Sequence, residues 1–228
     1  MALAVDATST KNTGAVNASP VTWTHTISSN TNGAVFVCFG WNGTATISAV
    51  TYNGSNMTQV GTTSTQGSGS TTLSAAIYVL VAQPTGAKTV SVSFSTTVSF
   101  WGWAISFTGV DQSTPAEANN KSSGTSAASP ITTSVTTTTD SDYVIDMAAY
   151  GASGTVTVGG SQTQVLNLNN SATATRGVGS YLTSVKSPAG SVSMQWTYSG
   201  NQNWAQIVAA VKPAGSSTPN AGQFFSMF

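Results

Sequence analysis

Side chains able to do chemistry are scarce: one histidine, one cysteine, six lysines and arginines together and six acids in 228 residues. A serine-type hydrolase would have to build its triad on His25, and no Gly-x-Ser-x-Gly elbow accompanies it. His25 stands in the run Val21, Trp23, His25, Ile27, with threonines on the alternate positions. That alternation points its imidazole at the apolar side of a strand. The acids are Asp6, Asp111, Glu117, Asp140, Asp142 and Asp146. Glycosidases need facing carboxylates, and Asp140 with Asp142 offers oxygen ligands of the kind calcium takes. Asx residues at a strand opening also satisfy turn backbone, and that is the reading preferred for this pair. Asp146 interrupts an apolar run. If buried it demands a partner, and Arg176, the one arginine, is the natural candidate; on the solvent side of an edge strand it needs none. The glycine-rich Gly67-Ser68-Gly69-Ser70 lacks the Gly-Lys-Ser/Thr of a phosphate loop. No catalytic residue, cofactor site or metal site is therefore expected.

Aromatic residues offer different chemistry, since exposed rings stack on sugars. Trp41 and Tyr52 flank the loop Asn42-Gly43-Thr44, and Tyr150 holds a position like that of Trp41 later in the chain, so these three are the candidate glycan contacts. Packing at the end of a sandwich is the competing and preferred account.

The elements that position these residues come twice. Ser19-Pro20-Val21 recurs as Ser129-Pro130-Ile131. Residues 34–39 recur as 143–148, 57–60 as 162–165, and 84–94 as 188–196. Trp103-Ala104 is matched with Trp204-Ala205. The spacing drifts only from about 110 to about 101 residues, so the copies are read as 1–112 and 113–213. In this register His25 corresponds to about Val135 and Asp146 to about Val37, so neither copy preserves a shared active site. Short alternating runs separated by Gly, Asn, Ser and Pro predict eight strands per copy and no helix of any length. The class is all-β, with two tandem jelly-roll-like antiparallel β-sandwich domains arising from an internal duplication and an extended C-terminal tail. In the last strand of the first copy, Trp101, Trp103, Ile105 and Phe107 share one face, as expected of a strand central in its sheet.

Charged residues make up only 5% and the formal net charge is zero, which removes the electrostatic footprint of nucleic-acid or anionic-membrane binding. No apolar run is long enough to span a membrane as a helix. Cys38 lies in an apolar strand and is read as a small buried hydrophobe. Met1-Ala2-Leu3-Ala4-Val5-Asp6 carries no secretory pattern, so synthesis in a cytoplasm is expected. The connection from Gly109 to Thr114 is short and should hold the domains close. After Pro213 a Gly, Ser and Pro-rich linker leads to Phe224, Phe225, Met227 and Phe228. This apolar tip, 214–228 with its linker, is read as a docking peg for a partner or a neighbouring copy.

The strings Val50-Thr51-Tyr52-Asn53-Gly54, Pro84-Thr85-Gly86-Ala87-Lys88-Thr89-Val90, Ser106-Phe107-Thr108-Gly109-Val110-Asp111 and Trp204-Ala205-Gln206-Ile207-Val208 resemble a family of tandem β-sandwich modules. These occur in bacteriophage structural proteins and in bacterial surface or extracellular proteins. The resemblance covers residues 1–213, leaves the tail outside and carries no catalytic motif. It implies a virion component, namely a capsid decoration, head-fibre or tail protein made in the host cytoplasm. Such a protein would be homo-oligomeric, with other virion proteins or copies of itself as partners. The alternative it implies is a carbohydrate-binding or adhesive module, extracellular or at the cell surface, with surface glycans as partners.

Overall fold

The computed structural model describes residues 2–14, 16–67, 72–125, 130–151, 154–170, 173–199 and 202–215. Phe224, Phe225, Met227 and Phe228, read above as a docking peg, lie outside the described residues. Within them the chain is all-β and without helix. The first half runs β1 (Ala4–Asn12), β2 (Val21–Ile27), β3 (Ala34–Asn42), β4 (Ile47–Tyr52), β5 (Ser55–Asn56), β6 (Thr58–Gln59), β7 (Ser64–Gln66), β8 (Leu73–Val81), β9 (Gly86–Phe94) and β10 (Ser99–Thr108). The second runs β11 (Ala116–Gly124), β12 (Ile131–Thr136), β13 (Tyr143–Tyr150), β14 (Val156–Val158), β15 (Gln162–Asn170), β16 (Thr175–Leu182), β17 (Ser191–Tyr198) and β18 (Trp204–Val211).

In the first half one sheet has the order β1-β10-β3-β8-β6, with β7 also on β8, and the other β2-β9-β4-β5. In the second the orders are β11-β18-β13-β16-β15 and β12-β17-β14. The two halves thus share one strand order. Successive long strands alternate between the two sheets of each half, the jelly-roll way of closing a sandwich. Alternation dictates which residues fill it: in β2, Val21, Trp23, His25 and Ile27 are buried while Thr22, Thr24 and Thr26 are exposed.

The larger sheets of the two halves pack face to face, and their shared face is the largest apolar cluster of the molecule. Phe36, Cys38, Ile77, Trp101, Trp103, Ile105 and Phe107 meet Ile145, Met147, Leu166, Ile207, Ala209 and Val211 there. Strand β1 lies against β15, β10 against β16, β3 against β13, β8 against β18 and β7 against β11. This is the pattern of an approximate two-fold axis through β3 and β13. The expectation that the halves lie close therefore understates the case. The layers read outer sheet, inner sheet, inner sheet, outer sheet, and β10 is buried on both faces because it is sandwiched twice. Its Phe100 and Ala104 serve the first sandwich core, while its tryptophans serve the joint.

Pairing register also corrects one match between the copies. Val37 pairs with Ala104 and Asp146 with Val208. With Val37 and Asp146 equivalent, Phe100 rather than Trp103 is the counterpart of Trp204.

Candidate functional site

His25 lies at the joint of β2 and β1 and is 1% exposed. Its Nδ1 meets Ser9 Oγ at 2.9 Å, and the same hydroxyl accepts from Trp23 Nε1 at 3.1 Å. The imidazole is neutral, and which of Ser9 Oγ and Nδ1 donates follows from its tautomer. Burial lowers its pKa to about 4, against a small opposing pull from Asp6. Asp6 does not orient the ring. Its carboxylate accepts Ser28 N, Ser29 N and Ser106 Oγ at 2.8–3.1 Å. A serine and a histidine touch here, but without an orienting acid and with Nε2 buried they form a packed polar contact.

The three candidate glycan rings are core residues. Trp41 is 3% exposed and Tyr52 and Tyr150 are fully buried. Trp41 packs against Phe39 and Phe94 and donates from Nε1 to Ala45 O at 3.0 Å. Tyr52 donates to His25 O at 3.3 Å, and Tyr150 stacks on Tyr198 with centroids 5.2 Å apart. Protein occupies the ring faces that a sugar would need.

Acids do the structural work instead. Asp6 and Glu117 each sit at a bulge, in β1 between Val5 and Ala7 and in β11 between Ala116 and Ala118. Glu117 accepts the amides of Thr138 and Thr139 and the Thr139 hydroxyl, as Asp6 accepts those of Ser28 and Ser29. Each acid thus caps the loop leaving the second strand of its half. The repeated apolar-acid-Ala string (Val5-Asp6-Ala7, Ala116-Glu117-Ala118) is the signal in the sequence that marks them. Asp111 folds the connection between the halves through hydrogen bonds from Thr114 N and Ser113, which hold its pKa well below the usual range. It also pairs with Lys212 at 3.4 Å.

Asp142 is fully buried and its oxygens find no donor among the described residues, yet its carboxyl contacts Glu117. Both statements hold together if Asp142 carries the proton and donates it. Burial and the neighbouring Glu117 push its pKa up to about 8. Glu117 is raised by burial but lowered more by the hydrogen bonds from Asp142, Thr139 and Thr138, to about 2. Asp140 accepts Ala189 N, which is the turn role rather than the calcium role. Among the described residues no group of three or more His, Cys, Asp or Glu is placed to hold a metal ion.

Asp146 is buried completely, and its partner is not Arg176. Oδ1 accepts Ser180 N and Oγ at 2.9 and 2.6 Å, while Oδ2 accepts Trp196 Nε1 and Gln206 Nε2 at 2.6 and 2.8 Å. Arg176, four residues before Ser180 on β16, reaches Asn167. Four neutral donors stabilise the carboxylate without bringing a second charge into the core. Burial still outweighs them and raises the pKa to about 6. The network continues from Gln206 Oε1 to Thr133 Oγ1 at 2.7 Å and on to Ser122, and from Ser180 Oγ to Gln162 Nε2 at 2.7 Å. It crosses the second sandwich from β17 and β12 to the inner sheet. No protein-family model, curated protein or solved structure matches this chain.

Proposed function

We propose that this chain is a non-enzymatic structural component of a bacteriophage particle, a capsid decoration, head-fibre or tail protein, docked through residues 224–228. The observation that carries this reading is the contrast between body and tail. Among the described residues Val16 is the one exposed large hydrophobic, at 69%, so the described body offers no broad apolar patch for Phe224, Phe225, Met227 and Phe228 to cover. A peg of that composition therefore suits an apolar groove on another protein. Burial of His25 and Asp142 in the cores supports a structural rather than a catalytic role. Repetition over many copies would let each docking contact be weak.

The test is twofold. Mass spectrometry of purified particles should find the chain as a constituent. A chain ending at residue 215 should keep its thermal unfolding transition yet fail to co-sediment with particles that lack it. Co-sedimentation of the truncated chain would refute the docking role, and absence from particles would refute the assignment.

A further inference from the structure

We propose that Thr133 and Gln206 are the two ends of an ester cross-link that the chain forms on itself, with Asp146 as the acid serving the departing amide nitrogen. The three come from three strands of the second half, β12, β18 and β13. They are 2%, 0% and 0% exposed. The Gln206 amide is held at both ends. Thr133 Oγ1 donates to its Oε1 at 2.7 Å, and its Nε2 donates to Asp146 Oδ2 at 2.8 Å. A hydroxyl hydrogen-bonded to Oε1 stands next to the carbonyl carbon, and it must shift onto the carbonyl face to make the roughly 3–3.5 Å approach that attack needs. A carboxyl at the nitrogen end is where a general acid must stand for ammonia to leave. Ser180 holds the other oxygen, Oδ1, and Trp196 Nε1 donates to the same Oδ2 that faces the amide.

The step balances without oxidant or cofactor. Thr133 Oγ1 bonds to Gln206 Cδ, and its proton passes to Oε1, which it already faces. Neutral Asp146 donates its proton to Nε2, the Cδ–Nε2 bond breaks and ammonia departs. The proton on Oε1 then returns to Asp146 as the carbonyl re-forms. A primary amide resists such attack in water, but a fixed neighbouring hydroxyl acts at effective concentrations of about 10⁵–10⁸ M. Burial also keeps water from competing for the acyl carbon. Burial raises the Asp146 pKa to about 6, which leaves part of the population neutral at ordinary pH.

The first half provides a built-in comparison. Register places Trp23, Val37 and Gly102 where Thr133, Asp146 and Gln206 stand. That space is filled by Trp23 against Phe100, centroids 5.9 Å apart. Nucleophile, acid and amide are thus present together in one half and all absent from the other. The bond would join β12 of the outer sheet to β18 of the inner one and staple the second sandwich through its core. This inference is independent of the virion assignment.

Intact mass spectrometry of the folded full chain should read about 17 Da below the sequence mass, one ammonia. Trypsin, cutting after Arg176 and Lys186, puts Thr133 and Gln206 on separate peptides; these should run as one linked species that hydroxylamine separates. Thr133→Val should return the full mass and Thr133→Ser should keep the loss. A folded wild-type chain at its full sequence mass overturns the proposal. So does a loss that persists in Thr133→Val, which would trace it to succinimides at Asn32-Gly33, Asn42-Gly43 or Asn53-Gly54. Should Thr133→Val fail to fold, the wild-type digest alone decides: two separate peptides refute the bond.

Discussion

Replacing Gly177 by alanine tests whether the joint between the halves is as tightly fitted as its geometry requires. A Cβ at Gly177 would lie 2.3 Å from Trp101 Cβ and 2.4 Å from its Cγ, where ordinary contact begins near 3.4 Å. The obstructing atoms sit at the root of the indole, so no rotamer of Trp101 clears them. Strands β10 and β16 must part by about 1 Å. A gap of that size forfeits a quarter to a half of the dispersion across the contact, and overpacking of this kind costs about 1–3 kcal/mol or more. With Trp101 and Trp103 both fully buried at the joint, about 3–5 kcal/mol is expected for Gly177→Ala. For a chain of this length that is a fall in Tm of roughly 10 °C. Gly179→Ala provides the control, because its Cβ would meet the Trp103 ring, Nε1 at 2.2 Å and Cδ1 at 2.8 Å. Trp103→Ala removes the whole obstructing ring, so it should recover at least about 1 kcal/mol of the Gly179→Ala loss in a double-mutant cycle. It should recover none of the Gly177→Ala loss. Denaturant unfolding of the single and double variants measures all of this. A Gly177→Ala protein within about 0.5 kcal/mol of wild type would refute the close-packed joint, being the scatter of an ordinary surface change.

Asp142→Asn keeps a donor for Glu117 and removes the proton to be lost. Because the folded pKa of about 8 lies above the usual carboxyl value, wild-type stability falls as pH rises from about 4 to about 8. The variant should escape that fall and be about 1–2 kcal/mol more stable above pH 8; equal stability at pH 9 would contradict the shared proton. His25 runs the other way, since its folded pKa of about 4 lies below 6.5 and stability is lost as pH drops from 6.5 to 4. His25→Phe should flatten that acid limb in thermal scans, and an unchanged limb would place the titration elsewhere. Trp41→Ala should cost about 3–5 kcal/mol as a core truncation. A loss under 1 kcal/mol would mean that the ring is free after all.

The strand boundaries and faces were legible because alternation is a local property. The run at residues 21–27 states its buried face residue by residue, and the apolar stretch of β10 announces burial on both sides. What covers the second side was not legible. Arg176-Gly177-Val178-Gly179-Ser180 looks like weak strand, and its glycines gain meaning only when Trp101 and Trp103 stand opposite. Asp146 misled for a related reason. Sequence suggests a charge for a charge, and Arg176 is conspicuous, whereas the partners are an indole, an amide and a serine that no pattern distinguishes from ordinary core and surface residues. Trp41, Tyr52 and Tyr150 were open to two readings for the reverse reason, since an aromatic beside a loop has the same composition whether its ring faces in or out, and burial bears out the preferred one, packing.

The approximate two-fold at the joint also constrains how this chain can associate. Register makes Trp103 equivalent to Ile207 and Ile77 to Gly179, and likewise Trp101 to Ala205 and Ala75 to Gly177. Each of these two tryptophans of the first half therefore faces a glycine of the second, while the reciprocal contacts pair medium or small residues. Two first halves brought together would press Trp103 onto Ile77. Two second halves would leave Ile207 over Gly179 and a void beside it. Both mismatches carry a packing cost of the kind estimated for the glycine variants. The joint thus selects a second half over another first half, and copies that keep their own joint closed must associate through surfaces outside it.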